Sequence, residues 1–133
     1  MSTASVPAVK PITIKQLSQR PEILAGGHRL CPGCGAPIAL RQILLASDYP
    51  VVLAFTSWRA PWIHNAFENA AATISGAEAM YRSLKQQGRI PADREIRFIA
   101  FGGDGGTYDI GLQSLSGALE RGHCFLYVCY NNE

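Results

Sequence analysis

An apolar stretch that runs directly into a cluster of glycines limits the possible folds more than any other part of the sequence. Residues 96–101 (IRFIAF) are mostly large and apolar, as in a buried strand, and residues 102–106 (GGDGG) follow without a break. A helix-compatible stretch at residues 110–121 and an apolar run at residues 124–130 come next. This order predicts a right-handed parallel βαβ unit. We therefore predict an α/β fold, a parallel sheet flanked by helices.

The first half of the chain supplies further elements of the same kind. Pro37 fits the first turn of a helix over residues 38–46. Residues 51–55 (VVLAF) are typical of a short buried strand. Residues 65–87 are rich in good helix formers and predict the longest helix, with Gly88 as its stop.

Length and composition indicate one cytoplasmic domain. The 133 residues are 47% hydrophobic and 17% charged, an ordinary globular balance, and the net charge is only +2. The basic residues are scattered, which argues against nucleic acid as a partner. No apolar stretch is long enough for a membrane span, and no secretory signal precedes the domain. Residues 1–27, with three prolines and no periodicity, are interpreted as an extended arm, and residues 28–133 as a partial domain.

The glycine cluster carries the strongest chemical signal. Asp104 lies among glycines at the carboxyl end of a predicted parallel strand, where α/β sheets place their ligands. The pair Asn131-Asn132 follows the next strand, so both strand ends can meet at one site. Mg²⁺ prefers oxygen ligands from carboxylates and phosphates. A magnesium–diphosphate site is therefore predicted, whereas a Walker loop and an EF-hand lack their required residues.

Two closely spaced cysteines form a second candidate site. Cys31 and Cys34 have the C-x-x-C spacing with which iron–sulfur clusters and zinc are bound. The pattern is weak by itself, because zinc needs two more ligands. The other imidazoles belong to His28, His64 and His123. A thioredoxin-type redox pair is a further alternative, although that motif normally opens a helix after a strand.

Four segments together resemble the β subunit of pyruvate:ferredoxin oxidoreductase. They are HRLCPGCGAP at residues 28–37, WRAPWIHNAFENAAATISG at 58–76, FGGDGGTYDIGLQSLSGALERGH at 101–123 and YVCYNNE at 127–133. A GDG followed by an Asn pair at this distance is similar to the thiamine-diphosphate-binding motif. The resemblance implies the thiamine-diphosphate-binding (pyrophosphate-domain) fold in truncated form.

The resemblance also implies roles for particular residues. Asp104 and Asn132 would ligate Mg²⁺, with a further ligand from a backbone carbonyl at a position beyond residue 133. Cys31 and Cys34 match two of the four ligands of a 4Fe–4S cluster. The implied cofactor-binding residues are Gly103, Asp104, Gly105, Gly106 and Asn132.

The sequence departs from the family in ways that affect the cluster. The third cluster cysteine of the family lies in a segment between the strand at 51–55 and Trp58, and that segment is missing here. The fourth lies beyond residue 133. Cys124 and Cys129 match no ligand position and are interpreted as small apolar residues of the last strand. The chain thus supplies an incomplete set of cluster ligands.

The implied activity is the oxidative decarboxylation of pyruvate to acetyl-CoA, with electrons passed to ferredoxin. It would need an α subunit and further subunits, and this chain alone would be inactive. The sequence leaves three alternatives open. The chain is a non-catalytic truncated fragment, it belongs to an enzyme for another small 2-oxoacid such as oxalate, or it is a small zinc-binding protein.

Three acidic side chains receive structural predictions. Glu68 and Glu78 are expected to be solvated or to lie at an interface. Asp109 is expected to cap a helix that begins at residue 110. His64 receives no role from the sequence.

Overall fold

In the part of the chain that the structure describes, a three-stranded parallel sheet forms the centre of the fold. The computed structural model describes residues 11–24, 26, 31–53 and 61–131. The strands β1 (Val51–Leu53), β2 (Arg97–Gly103) and β3 (Leu126–Tyr130) lie in the order β1-β2-β3. Both pairings are parallel, which confirms the predicted α/β class. Residues 54 and 55 of the predicted first strand lie outside the described residues.

Within the residues that the structure describes, four α-helices accompany the sheet: α1 (Ile14–Ser18), α2 (Ala36–Ala46), α3 (Ala70–Gln86) and α4 (Leu112–Glu120). Pro37 lies in the first turn of α2, as predicted. The arm was predicted to be extended, but it contains α1, which a capping box at Thr13 stabilises. The arm's boundary at residue 27 stays a prediction.

Helix α3 begins later than predicted. The 3-10 turn Phe67–Asn69 precedes it, so its first α-helical residue is Ala70 and not residue 65. Its end agrees with the sequence, because Gly88 adopts a left-handed φ of 68° just beyond the last turn. Among the described residues, no helix combines the length and the apolarity that crossing a bilayer requires.

The sheet is covered on both faces. One core cluster joins α2 to β2 through Leu40, Leu44, Ile99 and Phe101. The other joins α3 to β2 through Ile74, Phe98 and Ala100. Since successive residues of β2 alternate between these clusters, a strand buried on both faces has a continuous apolar sequence.

The surroundings of Glu78 differ from the prediction. Its side chain was expected to be solvated or to lie at an interface, but the residue is only 3% exposed within the fold, in the middle of α3. One carboxylate oxygen accepts from Arg82 Nε at 2.8 Å, and the other lies 2.8 Å from His123 Nδ1. A buried carboxylate requires such partners. The contact with His123 ties α3 to the turn that precedes β3.

The exposure of Cys124 also differs from the prediction. It was expected to be a buried apolar residue, but it is exposed, because β3 begins only at Leu126. Cys129, within β3, is half-buried.

Candidate functional site

The carboxyl end of β2 leads into an unusual turn. The strand continues two residues past the predicted end, to Gly103, and Asp104 follows. Residues Gly105–Asp109 then form a single turn of π-helix, in which the amide of Ile110 donates to the carbonyl of Gly105 at 3.2 Å. Turns of this type are rare and frequently occur at functional sites.

Close backbone packing requires glycine in this turn. A Cβ atom on Gly111 would lie 1.8 Å from the carbonyl oxygen of Gly106. A Cβ on Gly106 would lie 3.2 Å from the carbonyl oxygen of Phe67. Helix α4 begins at Leu112, directly after Gly111, which is its N-cap residue. No side chain caps this helix. The prediction that Asp109 caps this helix is wrong, because Asp109 belongs to the π turn.

One cleft is lined by the four residues of the glycine loop that were predicted to bind the cofactor, residues 103–106. The cleft has a volume of about 490 Å³ and is lined by Cys34, Phe67, Gly103, Asp104, Gly105, Gly106, Asp109, Ile110 and Tyr130. Asp104 is half-buried within it, and a Cβ on Gly105 would meet nothing within 4 Å. The loop is thus open to a ligand beside a carboxylate.

The strand order brings the second half of the motif to the same edge. Tyr130 pairs with Gly103, so Asn131 directly follows β3 at the end of the sheet where the glycine loop lies. Asn131 lines a neighbouring cleft of about 620 Å³. Asn132, the predicted magnesium ligand, lies outside the described residues.

The cysteine pair lies beside the glycine loop. The amide of Cys34 donates to the carbonyl of Cys31 at 3.1 Å, and Gly33 has a φ of 79°. Pro32 and Gly33 therefore occupy the central positions of a turn with the features of type II. Cys31 and Cys34 both line the cleft that contains Asn131, and Cys34 also lines the cleft of Asp104. The structure brings the two sequence signals together.

Tyr130 is a site residue that the sequence analysis missed. Its ring lies over Gly103, with the hydroxyl 3.6 Å from where a Cβ of that glycine would be. Burial, followed by the nearby Cys34 and Asp104, raises the pKa of Tyr130. The phenol is therefore a neutral hydrogen-bond donor at neutral pH. In the sequence, Tyr130 is only one of several aromatic residues, and nothing marks it as part of a site. The pairing of β3 with β2 is what places its ring over Gly103.

His64 also lies near the end of the sheet. It lines a small cavity of about 50 Å³ together with Asn65, Phe67 and Gly103, and its ring makes an edge contact with Trp62 at 6.3 Å between centroids. His64 does not line the cleft that contains Asp104.

The described residues do not complete a site for an iron–sulfur cluster. No group of three or more His, Cys, Asp or Glu side chains suited to a metal occurs in the described part of the chain. The interaction of Cys129 with the phenol of Tyr108 raises the pKa of Tyr108. Alternation along β3 places Cys129 on the opposite face of the sheet from Tyr130. Among the described residues, two cysteine side chains, those of Cys31 and Cys34, thus lie together, whereas a 4Fe–4S cluster needs four.

Comparisons with known proteins agree with the geometry. The family model described as "Thiamine pyrophosphate enzyme, C-terminal TPP binding domain" matches residues 44–133. Pyruvate synthase subunit PorB of Thermotoga maritima is 54% identical over 144 aligned positions, which cover 92% of this chain and 44% of the relative. PorB of Methanocaldococcus jannaschii is 50% identical, over 86% of the chain and 43% of the relative.

A relative whose name specifies another substrate is also similar. Ketoisovalerate oxidoreductase subunit VorB of Pyrococcus abyssi is 41% identical over 80% of this chain and 38% of the relative. The chain thus spans less than half the length of these relatives. The alignment with the Thermotoga protein has more positions than the 133 residues of the chain, so it includes positions at which this chain has no residue.

Proposed function

The chain belongs to the thiamine pyrophosphate enzymes through their C-terminal TPP-binding domain, and on that premise we propose that it is the cofactor-binding part of a 2-oxoacid:ferredoxin oxidoreductase β subunit. The observation that carries the proposal is the cleft in which Asp104 and the glycine loop lie beside Cys34. The similarity to the PorB subunits supports it across most of the chain.

The described residues fit a magnesium–diphosphate group. Asp104 offers a carboxylate, an oxygen ligand of the kind that Mg²⁺ prefers, at the mouth of an open glycine loop. We assign Asp104 and Asn132 as the protein ligands of Mg²⁺, and Gly103, Gly105 and Gly106 as the backbone that approaches the diphosphate. When bound, thiamine diphosphate supplies the electron sink for decarboxylation. The task of this chain is to hold and orient it.

The proposed substrate is pyruvate, and the proposed products are acetyl-CoA and reduced ferredoxin. An α subunit and further subunits would complete the enzyme, since the relatives are named as subunits of their enzymes. Ketoisovalerate is a second candidate substrate, because the VorB relative is 41% identical. The 4Fe–4S cluster does not fit the described residues, and no part of the proposed role depends on it.

Calorimetric titration of the 133-residue chain with thiamine diphosphate tests the cofactor role. We expect binding that requires Mg²⁺ and that weakens by about 10- to 100-fold or more in Asp104→Ala, because even indirect supports of a metal ligand contribute this much. Asp93→Ala is the matched control, since it removes the same charge from an exposed position in the loop after α3. Equal affinities of the two variants would contradict the assignment of Asp104.

A separate experiment tests the substrate. The chain is combined with the α subunit and the further subunits of a related enzyme, and ferredoxin reduction is measured with pyruvate and with ketoisovalerate in separate reactions. Faster reduction with pyruvate would support the proposal, whereas a preference for ketoisovalerate would favour the second candidate.

A further inference from the structure

Three elements meet at a single point beneath the glycine loop. A Cβ atom on Gly102 would lie 2.2 Å from the hydroxyl oxygen of Tyr127 and 2.8 Å from Oγ1 of Thr107. The side chains of Tyr127 on β3 and Thr107 in the π turn therefore occupy the space beside Gly102 of β2, and a larger residue at position 102 would displace them. Thr107 is buried, at 3% exposure, so its hydroxyl needs partners within the protein.

The directions of the hydrogen bonds at this point follow from the geometry. Thr107 Oγ1 donates to the carbonyl oxygen of Gly103 at 2.6 Å and lies 3.2 Å from the hydroxyl of Tyr127. A threonine hydroxyl has one hydrogen to donate. Since Gly103 receives that hydrogen, Tyr127 has to be the donor to Thr107. Two consecutive hydrogen bonds therefore link these residues: Tyr127 donates to Thr107, and Thr107 donates to Gly103.

The last acceptor of these hydrogen bonds, the carbonyl of Gly103, lies next to Asp104, the proposed magnesium ligand. The carbonyl of Gly103 belongs to the peptide group that links Gly103 to Asp104, and a peptide group is planar. A bond that fixes this carbonyl also fixes the orientation of the amide of Asp104 and limits where its Cα lies. Consecutive hydroxyl bonds in a low-dielectric interior strengthen each other.

We propose that Thr107 and Tyr127 are positioning residues that hold Asp104 and the glycine loop in the conformation that binds the cofactor. The inference rests on the proposed function for its consequence in binding, whereas the effect on the loop itself is independent of any ligand. Neither residue lines the cleft of Asp104, so both act through the loop and not by touching the ligand.

Hydrogen exchange of the full chain, without cofactor, tests the effect on the loop. Tyr127→Phe and Thr107→Val each remove one step of the hydrogen-bond chain. We expect amide exchange in residues 104–110 to become about fivefold faster relative to β2, as the loss of one ordinary hydrogen bond implies. Thr107→Ser keeps the hydroxyl and should restore slow exchange.

The matched control is Tyr81→Phe, whose hydroxyl donates to the carbonyl of Arg94 at 2.5 Å, away from the loop. It should leave the ratio of loop exchange to strand exchange unchanged. Unchanged loop exchange in both Thr107→Val and Tyr127→Phe, or an equal increase in the control, would overturn the inference. If one variant does not fold, the other together with Thr107→Ser decides.

Titration with thiamine diphosphate and Mg²⁺ forms the second arm. We expect affinity about fivefold weaker in Tyr127→Phe and unchanged in Tyr81→Phe. Faster loop exchange with unchanged affinity would overturn the positioning role. Absence of binding in the unsubstituted chain would count against the proposed function, while the exchange measurements would still decide whether the hydroxyl pair holds the loop.

Discussion

The two partners of Glu78 should contribute very differently to stability, although both lie 2.8 Å from its carboxylate. The side chain of His123 is 11% exposed, whereas that of Arg82 is 56% exposed. Solvent screens the exposed pair, which is worth up to about 1 kcal/mol. A buried hydrogen bond to a charged group is worth about 1.5–3 kcal/mol.

The perturbations are His123→Ala and Arg82→Ala. The first leaves the buried carboxylate with one partner and removes a packed ring, so we expect the free energy of unfolding to fall by about 2–3 kcal/mol. The second should lower it by at most about 1 kcal/mol. At about 3–5 °C per kcal/mol for a chain of this length, the midpoint temperatures should differ measurably.

Urea unfolding followed by far-ultraviolet circular dichroism provides the assay, with a shared m-value as evidence that both variants unfold as the unsubstituted chain does. The Glu78→Gln variant tests the carboxylate directly and should be at least as destabilised as His123→Ala. Equal losses for His123→Ala and Arg82→Ala, or a larger loss for Arg82→Ala, would refute the argument that burial sets the value of each contact.

Two further predictions concern glycines and pH. Gly111→Ala should destabilise the chain by about 1–3 kcal/mol, because its Cβ would collide with the backbone of Gly106. Gly76→Ala, within α3 and in open space, should stabilise the chain by about 0.5–1 kcal/mol. Urea midpoints that moved in the same direction for both variants would contradict one of the two predictions. The raised pKa of Tyr130 means that the folded chain keeps a proton that the unfolded chain loses near pH 10. Stability should therefore fall as pH rises above about 10. Urea midpoints at pH 8 and 10.5 should show a smaller fall in Tyr130→Phe, and an equal fall would contradict the assignment.

Local patterns predicted the elements well where one residue type determines the backbone. The apolar run before GGDGG gave β2, and Pro37 marked the start of α2. Gly88 follows the end of α3 with a φ of 68°, as predicted for a glycine stop, and Gly122 follows the end of α4 with a similar φ of 65°. The element bounds were less accurate, because the π turn and the 3-10 turn depend on contacts with other elements.

The sequence by itself determined that a carboxylate in a glycine loop follows a buried parallel strand, because glycine and apolar residues restrict the backbone locally. Only the tertiary structure decided which residues surround that carboxylate. Several helices and strands separate Cys34 from Asp104 in the sequence, yet both residues line one cleft with Tyr130. The burial of Glu78 against His123 was equally invisible, since the two residues are 45 positions apart. Such contacts depend on which strands pair and in what register, and the spacing of residues along the chain does not contain that information.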